Sequence, residues 1–212
     1  MSDRVVVVSG TATEVGKTWV ACRLARALTT RGLEVSARKP AQSFEPGAAT
    51  TDAALLAGAT GEPEHAVCPA HRSYPLAMAP PMAADALGRA ALRLDDLLAE
   101  LALPERGVTL VEGVGGPRSP LTHDADTVAL ADALDAALVV LVAPSGLGAI
   151  NDVLLASSAF GDGRVGVFLN RFSLEDPLHV ANRRWLGSRV PRVHTTLESL
   201  VDVVADGCAV AR

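Results

Sequence analysis

Aromatic residues are scarce in this chain, at 3% of 212 positions, so alanine, valine and leucine must fill the interior. Small aliphatic side chains in that abundance suit buried parallel strands alternating with helices. The same scarcity, with a net charge of −5 and no long basic run, leaves neither a stacking platform nor an electrostatic track for nucleic acid. Cysteine is sparse too. Cys22, Cys68 and Cys208 are odd in number, far apart, and lack a CxxC pair or a histidine at ligand spacing. This argues against a disulfide framework and a zinc site and predicts packed thiols. His65, His71, His123, His179 and His194 show no metal or triad spacing and are expected on surfaces and loops. No apolar run reaches the roughly 18 residues that cross a bilayer, and the apolar stretch after Arg4 is too short for a secretory signal. A cytoplasmic protein with no membrane partner is expected.

The chain is 49% hydrophobic and 20% charged, enough apolar content to bury one substantial core. A single domain over residues 1–212 is the simplest organisation. The β-branched run Val5-Val6-Val7-Val8 predicts a buried strand over 4–9. Val20, Leu24, Ala27 and Leu28 recur at helical spacing over 16–31 until Gly32 stops them. Further strands are expected at 33–37, 108–111, 137–143 and 165–169, with the third of these central. Helices are expected at 51–58, 92–101, 148–160 and 178–186, and a proline-broken loop at 75–81. This alternation predicts an α/β fold, a doubly wound and mostly parallel sheet flanked by helices. Its ligands should sit at the carboxyl ends of the strands.

The strongest local signal is Gly16-Lys17-Thr18 opening a helix just after a β-branched strand. Backbone N–H groups and the helix dipole there face an anion, so the context is that of a phosphate-binding P-loop. Lys17 would lie against β/γ-phosphate oxygens, and the Thr18 hydroxyl would reach Mg²⁺. From Gly10 to Gly16 the loop encloses one residue more than the strict pattern.

Other candidates follow the strands. Lys39 is either a solvated strand-end cation or a second charge stabilising a transferred phosphoryl group. Asp52 starts a helix and can cap it, face Mg²⁺, or do both. Glu112 ends an apolar strand, where a carboxylate is costly unless paired or bound to a metal. Gly146-Leu147-Gly148-Ala149-Ile150-Asn151 is either an ordinary strand-to-helix turn or a set of free N–H groups for a carboxylate. Asn170 carries an amide able to donate to and accept from adenine. Ser173 stands where guanine specificity would call for an aspartate.

Gly10-Thr11-Ala12-Thr13-Glu14-Val15-Gly16-Lys17-Thr18 resembles the phosphate loop of dethiobiotin synthetases, extra residue included. Lys39-Pro40-Ala41-Gln42-Ser43 is similar to their Lys-Pro-x-x-Ser segment, Asp52 to an aspartate opening the next helix, and Ala79-Pro80 to an Ala/Ser-Pro loop. Glu112-Gly113-Val114-Gly115-Gly116, with Pro120-Leu121 beyond it, is similar to their Glu-Gly-x-Gly-Gly turn. The resemblance spans most of the chain in order. It implies a P-loop NTPase fold and a ligase that converts ATP, CO₂ and 7,8-diaminononanoate to dethiobiotin, ADP and phosphate.

By that resemblance, Glu14, Val15, Gly16, Lys17 and Thr18 bind ATP, with Asn170 at the adenine. Lys17, Lys39 and Thr13 act in catalysis, while Thr13, Lys39, Ser43, Ala79 and Pro80 meet the substrate. Thr18, Asp52 and Glu112 hold Mg²⁺. Gly148, Ala149, Ile150 and Asn151 reach the substrate's carboxylate from a neighbouring subunit, which makes the active unit a homodimer. The chain departs from the family pattern at Phe44, where glycine is usual, at Pro81, where histidine is common, and around 190–196 on the adenine side. Two further classes share this kind of loop. An amide-forming ligase of the cobyrinate-diamide type carries a glutaminase domain for which these 212 residues leave no room. A partition-type nucleotide switch carries a second loop lysine where this chain has Ala12.

Overall fold

The computed structural model describes residues 4–161 and 163–209, the last three by backbone alone. In chain order the elements are β1 (Arg4–Gly10), α1 (Lys17–Thr30), β2 (Val35–Arg38), β3 (Gln42–Ser43), α2 (Asp52–Thr60), α3 (Glu64–Val67), β4 (Ser73–Tyr74), α4 (Pro80–Ala86), α5 (Leu94–Glu100), β5 (Val108–Glu112), α6 (Thr127–Ala133), β6 (Leu138–Pro144), α7 (Ala149–Ser158), β7 (Val165–Asn170), α8 (Pro177–Gly187), β8 (Val193–His194) and α9 (Leu197–Ala209).

Six strands form one parallel sheet in the order β2-β5-β1-β6-β7-β8. Alternate side chains of β1 feed opposite faces, as the period of a strand requires. Val5 and Val7 join a core with Leu97, Leu130, Val153 and Leu186, from α5, α6, α7 and α8. Val6 and Val8 join a second core with Leu24, Leu56 and Val204, from α1, α2 and α9. Helices therefore cover both faces, which explains why the strands are continuous apolar runs rather than alternating ones. After β1 the chain moves to β2 on one side, fills the gap with β5, and then crosses to β6 on the other side. The reversal point at the carboxyl end of β1 is where ligands bind in such sheets. No helix among the described residues is long and apolar enough to cross a membrane.

Several expectations are corrected. The second strand is Val35–Arg38 rather than 33–37. The segment 75–81 is not wholly loop, because Pro80 and Pro81 occupy the first helical positions of α4. Proline is tolerated there since those N–H groups have no intrahelical partner, and its φ is already helical. The short strands β3, β4 and β8 and the short helices α3, α4 and α6 carry too little periodic signal to be read locally, whereas α9, not among the expected helices, does show helical spacing at Leu197, Leu200, Val201 and Val204. Cys22 and Cys68 are buried free thiols, and burial pushes them up to about 11 and about 12. The side chain of Cys208 lies outside the described residues.

His194 is buried in β8 rather than on the surface. Its Nδ1 lies 3.1 Å from Ser199 Oγ, and its Nε2 has no hydrogen-bond partner among the described atoms. Burial first, and Arg192 second, hold its pKa below the ordinary histidine value. Below about pH 6.5, the ordinary histidine value, the unfolded chain takes up a proton that the folded one resists. Stability should therefore fall as pH drops through the window between that value and the lowered folded pKa. Denaturant unfolding at stepped pH should show the fall in the native chain and a flatter curve in His194→Gln. Identical slopes would dismiss His194 as the cause.

Candidate active site

The loop between β1 and α1 is shaped by contacts that leave no room for side chains. A Cβ on Gly10 would come within 2.7 Å of Val15 Cγ2 and 2.8 Å of the Ala12 carbonyl oxygen. Gly16, at φ 96°, caps α1 in the left-handed region, and a Cβ there would run into the Asn170 amide. Glu14 is also left-handed, at φ 58°, a conformation that costs a non-glycine residue about 1–3 kcal/mol and concentrates at functional sites. Asn170, at the end of β7, donates from Nδ2 to the Val15 carbonyl oxygen at 2.9 Å and accepts from Arg171 N at 2.9 Å. It therefore braces the loop. One amide hydrogen and one lone pair remain for a base.

Lys17 opens α1, is only 8% exposed, and donates to the Ala12 carbonyl oxygen at 3.1 Å. Burial, then Lys39, lower its pKa, while Glu112 and Asp52 oppose them. The next residue presents its hydroxyl to two carboxylates: Thr18 Oγ1 lies 2.9 Å from Asp52 Oδ1 and 2.9 Å from Glu112 Oε1. One hydroxyl proton can serve one of them at a time.

Lys39 follows β2, and the parallel pairing of Arg38 with Val111 brings it beside Glu112. Its Nζ donates to Glu112 Oε1 at 2.7 Å, Asp52 Oδ2 at 2.9 Å and the Gly113 carbonyl oxygen at 3.0 Å. All three ammonium hydrogens are engaged. Lys39 is thus no solvated strand-end cation; it is 2% exposed. Burial works against its charge, but Glu112 and Asp52 outweigh that and hold its pKa above the ordinary lysine range. Burial pushes Glu112 upward, with Lys39 opposing. Burial pushes Asp52 upward too, but there Lys39, Thr18 and Lys17 together outweigh it and hold the carboxyl low.

Glu112 is 1% exposed, and its Oε2 has no hydrogen-bond partner among the described atoms. A buried unpartnered carboxylate oxygen is costly. The Thr18 hydroxyl, hydrogen-bonded to both the Asp52 and Glu112 carboxylates, joins them in an all-oxygen donor set. Such a set fits Mg²⁺, which takes one or two carboxylates and leaves its other positions to water and phosphate.

A cavity of about 670 Å³ joins these groups to the rest of the site. Thr13, Glu14, Gly16, Lys17 and Thr18 form one wall, Lys39, Ser43 and Asp52 another, and Ala79 and Pro80 at the start of α4 a third. Ser43 donates its hydroxyl to the Met78 carbonyl oxygen, which ties β3 to the loop before α4. Phe44, which stands where glycine is usual in the family, is not among the lining residues. Its N–H instead bonds to the Tyr74 carbonyl oxygen at 3.1 Å. Sequence reasoning missed Gln42, Met78, Val114 and Ser119, which also line the cavity. Gln42 and Val114 fall on variable positions of the quoted segments, so no local signal marked them.

Seven predicted residues do not line this cavity. Val15 and Asn170 are hydrogen-bonded to each other, Glu112 is joined to the lining through Thr18 and Lys39, and the other four lie at the start of α7. Gly148 caps α7, Ala149 is buried beneath it, Ile150 packs against the core, and exposed Asn151 donates to Asp152 Oδ1 at 3.2 Å. Leu147, next to them, is 91% exposed.

Residues 4–201 match a family described as an AAA domain. The ATP-dependent dethiobiotin synthetase BioD of Caulobacter sp. (strain K31) is 43% identical over 166 residues, 76% of this chain and 71% of that one. The enzyme of the same name from Anaeromyxobacter dehalogenans (strain 2CP-C) is 40% identical over 198 residues, 89% and 87% of the two chains. Among solved structures, the signal recognition particle receptor FtsY from Elizabethkingia anophelis superposes with a TM-score of 0.51 at 15% identity, over 97% of this chain and 65% of that one. That likeness is one of fold alone.

Proposed function

The chain belongs to the ATP-dependent dethiobiotin synthetase family, and from that premise we propose how its residues carry out Mg²⁺-ATP-dependent ureido ring closure on 7,8-diaminononanoate. The observation that carries the reading is the meeting of Lys17, Thr18, Lys39 and Asp52 on one cavity, with Glu112 joined to Thr18 and Lys39 by direct hydrogen bonds.

The reaction has three steps. One substrate amine attacks CO₂ and loses a proton, giving a carbamate. A carbamate oxygen then attacks the γ-phosphorus of ATP, releasing ADP and leaving a carbamic–phosphoric anhydride. The second amine attacks the carbonyl carbon, loses a proton and expels phosphate, which closes the ring. Each step builds or moves negative charge, so positioned cations and N–H donors matter more than bases.

Lys17 and the amides of residues 14–18 hold the β- and γ-phosphates. Lys39 neutralises charge between carbamate and γ-phosphate, and Thr13 and Ser43 orient the carbamate and amines. Thr18, Asp52 and Glu112 hold Mg²⁺, which when bound neutralises phosphate oxygens. Asn170 offers its remaining amide hydrogen and lone pair to adenine. Ala79 and Pro80 wall the substrate.

We place the enzyme in the cytoplasm, where ATP is available, as a homodimer. What supports the dimer is that Gly148–Asn151 stand outside their own chain's cavity, flanked by exposed Leu147 and Leu155. These residues then receive the substrate's carboxylate across the interface.

Phosphate release should require ATP, Mg²⁺, bicarbonate and 7,8-diaminononanoate together. Omitting any one should reduce release to background, and equal turnover without the diamine would point to a nucleotide switch instead.

A further inference from the structure

Gln42 is the least explained polar group at the site. It is 3% exposed, and nothing in the phosphate chemistry calls for it. Its two polar ends join separate pieces of the molecule. Nε2 donates to Ser73 Oγ at 2.8 Å, across the β3–β4 pair. Oε1 accepts from Ala53 N at 2.9 Å.

Ala53 N is one of the α2 amides that have no partner within their own helix. The residue before it is Asp52, and the next amide, Ala54 N, is satisfied by Thr51 Oγ1 at 3.1 Å. The first turn of α2 is therefore held twice. Thr51 holds it from its own chain segment, and Gln42 holds it from the sheet that also carries Ser43.

We infer that Gln42 is a positioning residue that fixes Asp52 against the metal site by fastening the first turn of α2 to the β3–β4 pair. It acts through the Ala53 amide and does not touch reacting atoms. Without it, α2 keeps its Thr51 cap and stays helical, but the Asp52 carboxylate loses its fixed distance from Glu112 and Thr18. Partners that orient metal ligands from behind in this way are worth about 10–100-fold in metal affinity. The inference rests on the proposal that Asp52 holds Mg²⁺, and the test separates the two.

Mn²⁺, as a paramagnetic stand-in for Mg²⁺, is titrated into the protein–ADP complex and its free fraction read by EPR. ADP affinity in metal-free buffer and the melting temperature are measured alongside. Gln42→Leu should weaken Mn²⁺ by about tenfold while metal-free ADP affinity stays at the native value, a split that general loosening of the fold would not produce. Gln42→Glu keeps an acceptor for Ala53 N and can take a bond from the Ser73 hydroxyl, so it should recover most of the lost affinity.

Asp52→Asn separates the two claims. If it weakens Mn²⁺ while Gln42→Leu binds it as the native chain does, the role of Gln42 is refuted and the metal site stands. If Asp52→Asn also binds Mn²⁺ at native strength, the metal assignment itself fails. Should Gln42→Leu not fold, Ser73→Ala frees the far end of the amide without touching α2. It must weaken Mn²⁺ in the same direction, and native affinity there overturns the inference.

Discussion

Replacing Lys39 by methionine is expected to lower kcat on the order of 10³-fold, the upper range for removing one preorganised charge from a reaction centre. It should also destabilise the ligand-free protein by about 3–5 kcal/mol, the usual result of leaving a buried ion-pair partner without its counter-charge. The second effect follows from geometry. Glu112 is nearly inaccessible to water, and Lys39 Nζ at 2.7 Å is its ion-pair partner, shared with Asp52 at 2.9 Å. Removing the ammonium leaves two carboxylates facing each other across the Thr18 hydroxyl. Saturating Mg²⁺ and ADP should narrow the stability deficit, because a cation on the same oxygens replaces part of the lost charge. Denaturant melts with and without Mg²⁺-ADP, together with product formation, test both halves. A native rate would remove Lys39 from the mechanism, and native stability would show that the carboxylates do not depend on it.

Lys17→Ala should lose kcat by on the order of 10²–10³-fold with a very different stability cost. Lys17 donates to a backbone carbonyl, that of Ala12 at 3.1 Å, and forms no ion pair with Glu112 or Asp52. Its loss should cost about 1 kcal/mol, the worth of one ordinary hydrogen bond. The two lysines should therefore separate: both are expected to be needed for turnover, and one also for the metal-free fold. Equal melting midpoints for the two variants, or product at the native rate from Lys17→Ala, would contradict that division. ATP affinity measured by calorimetry should fall in Lys17→Ala in parallel if, as proposed, the ammonium meets β- and γ-oxygens before and during transfer.

The parts of the site written in contiguous sequence were legible. Residues 10–18 could be read because strand, glycine loop and helix N-terminus are neighbours in the chain, and the loop's extra residue distinguished this family from strict P-loops. Lys39, Asp52 and Glu112 were legible because each ends a strand or opens a helix, and a parallel sheet gathers such ends on one edge.

What could not be read depends on contacts far apart in sequence. The bond from Gln42 to Ser73 spans two short strands that have no periodic signal. Burial of His194 depends on the two-residue strand β8 docking beside β7. The Ser43 hydroxyl, expected to face substrate, is spent on the Met78 carbonyl and must be released or shared to do so. Pro80 and Pro81 read as loop residues because a proline pair is ambiguous until the chain before it is seen to be extended, as Ala79 is at φ −58° and ψ 140°.

The most direct test of the account is the fate of the bicarbonate oxygens. With oxygen-18 bicarbonate, 7,8-diaminononanoate, Mg²⁺ and unlabelled ATP in a single turnover, the phosphate released should carry one labelled oxygen, visible as an isotope shift in its phosphorus NMR signal. That oxygen is the one with which the carbamate attacks the γ-phosphorus, and it leaves with the phosphate when the second amine closes the ring. Phosphate free of label, formed at the same rate as product, would mean that the carbamate is never phosphorylated, and the roles proposed for Lys17 and Lys39 between carbamate and γ-phosphate would be wrong.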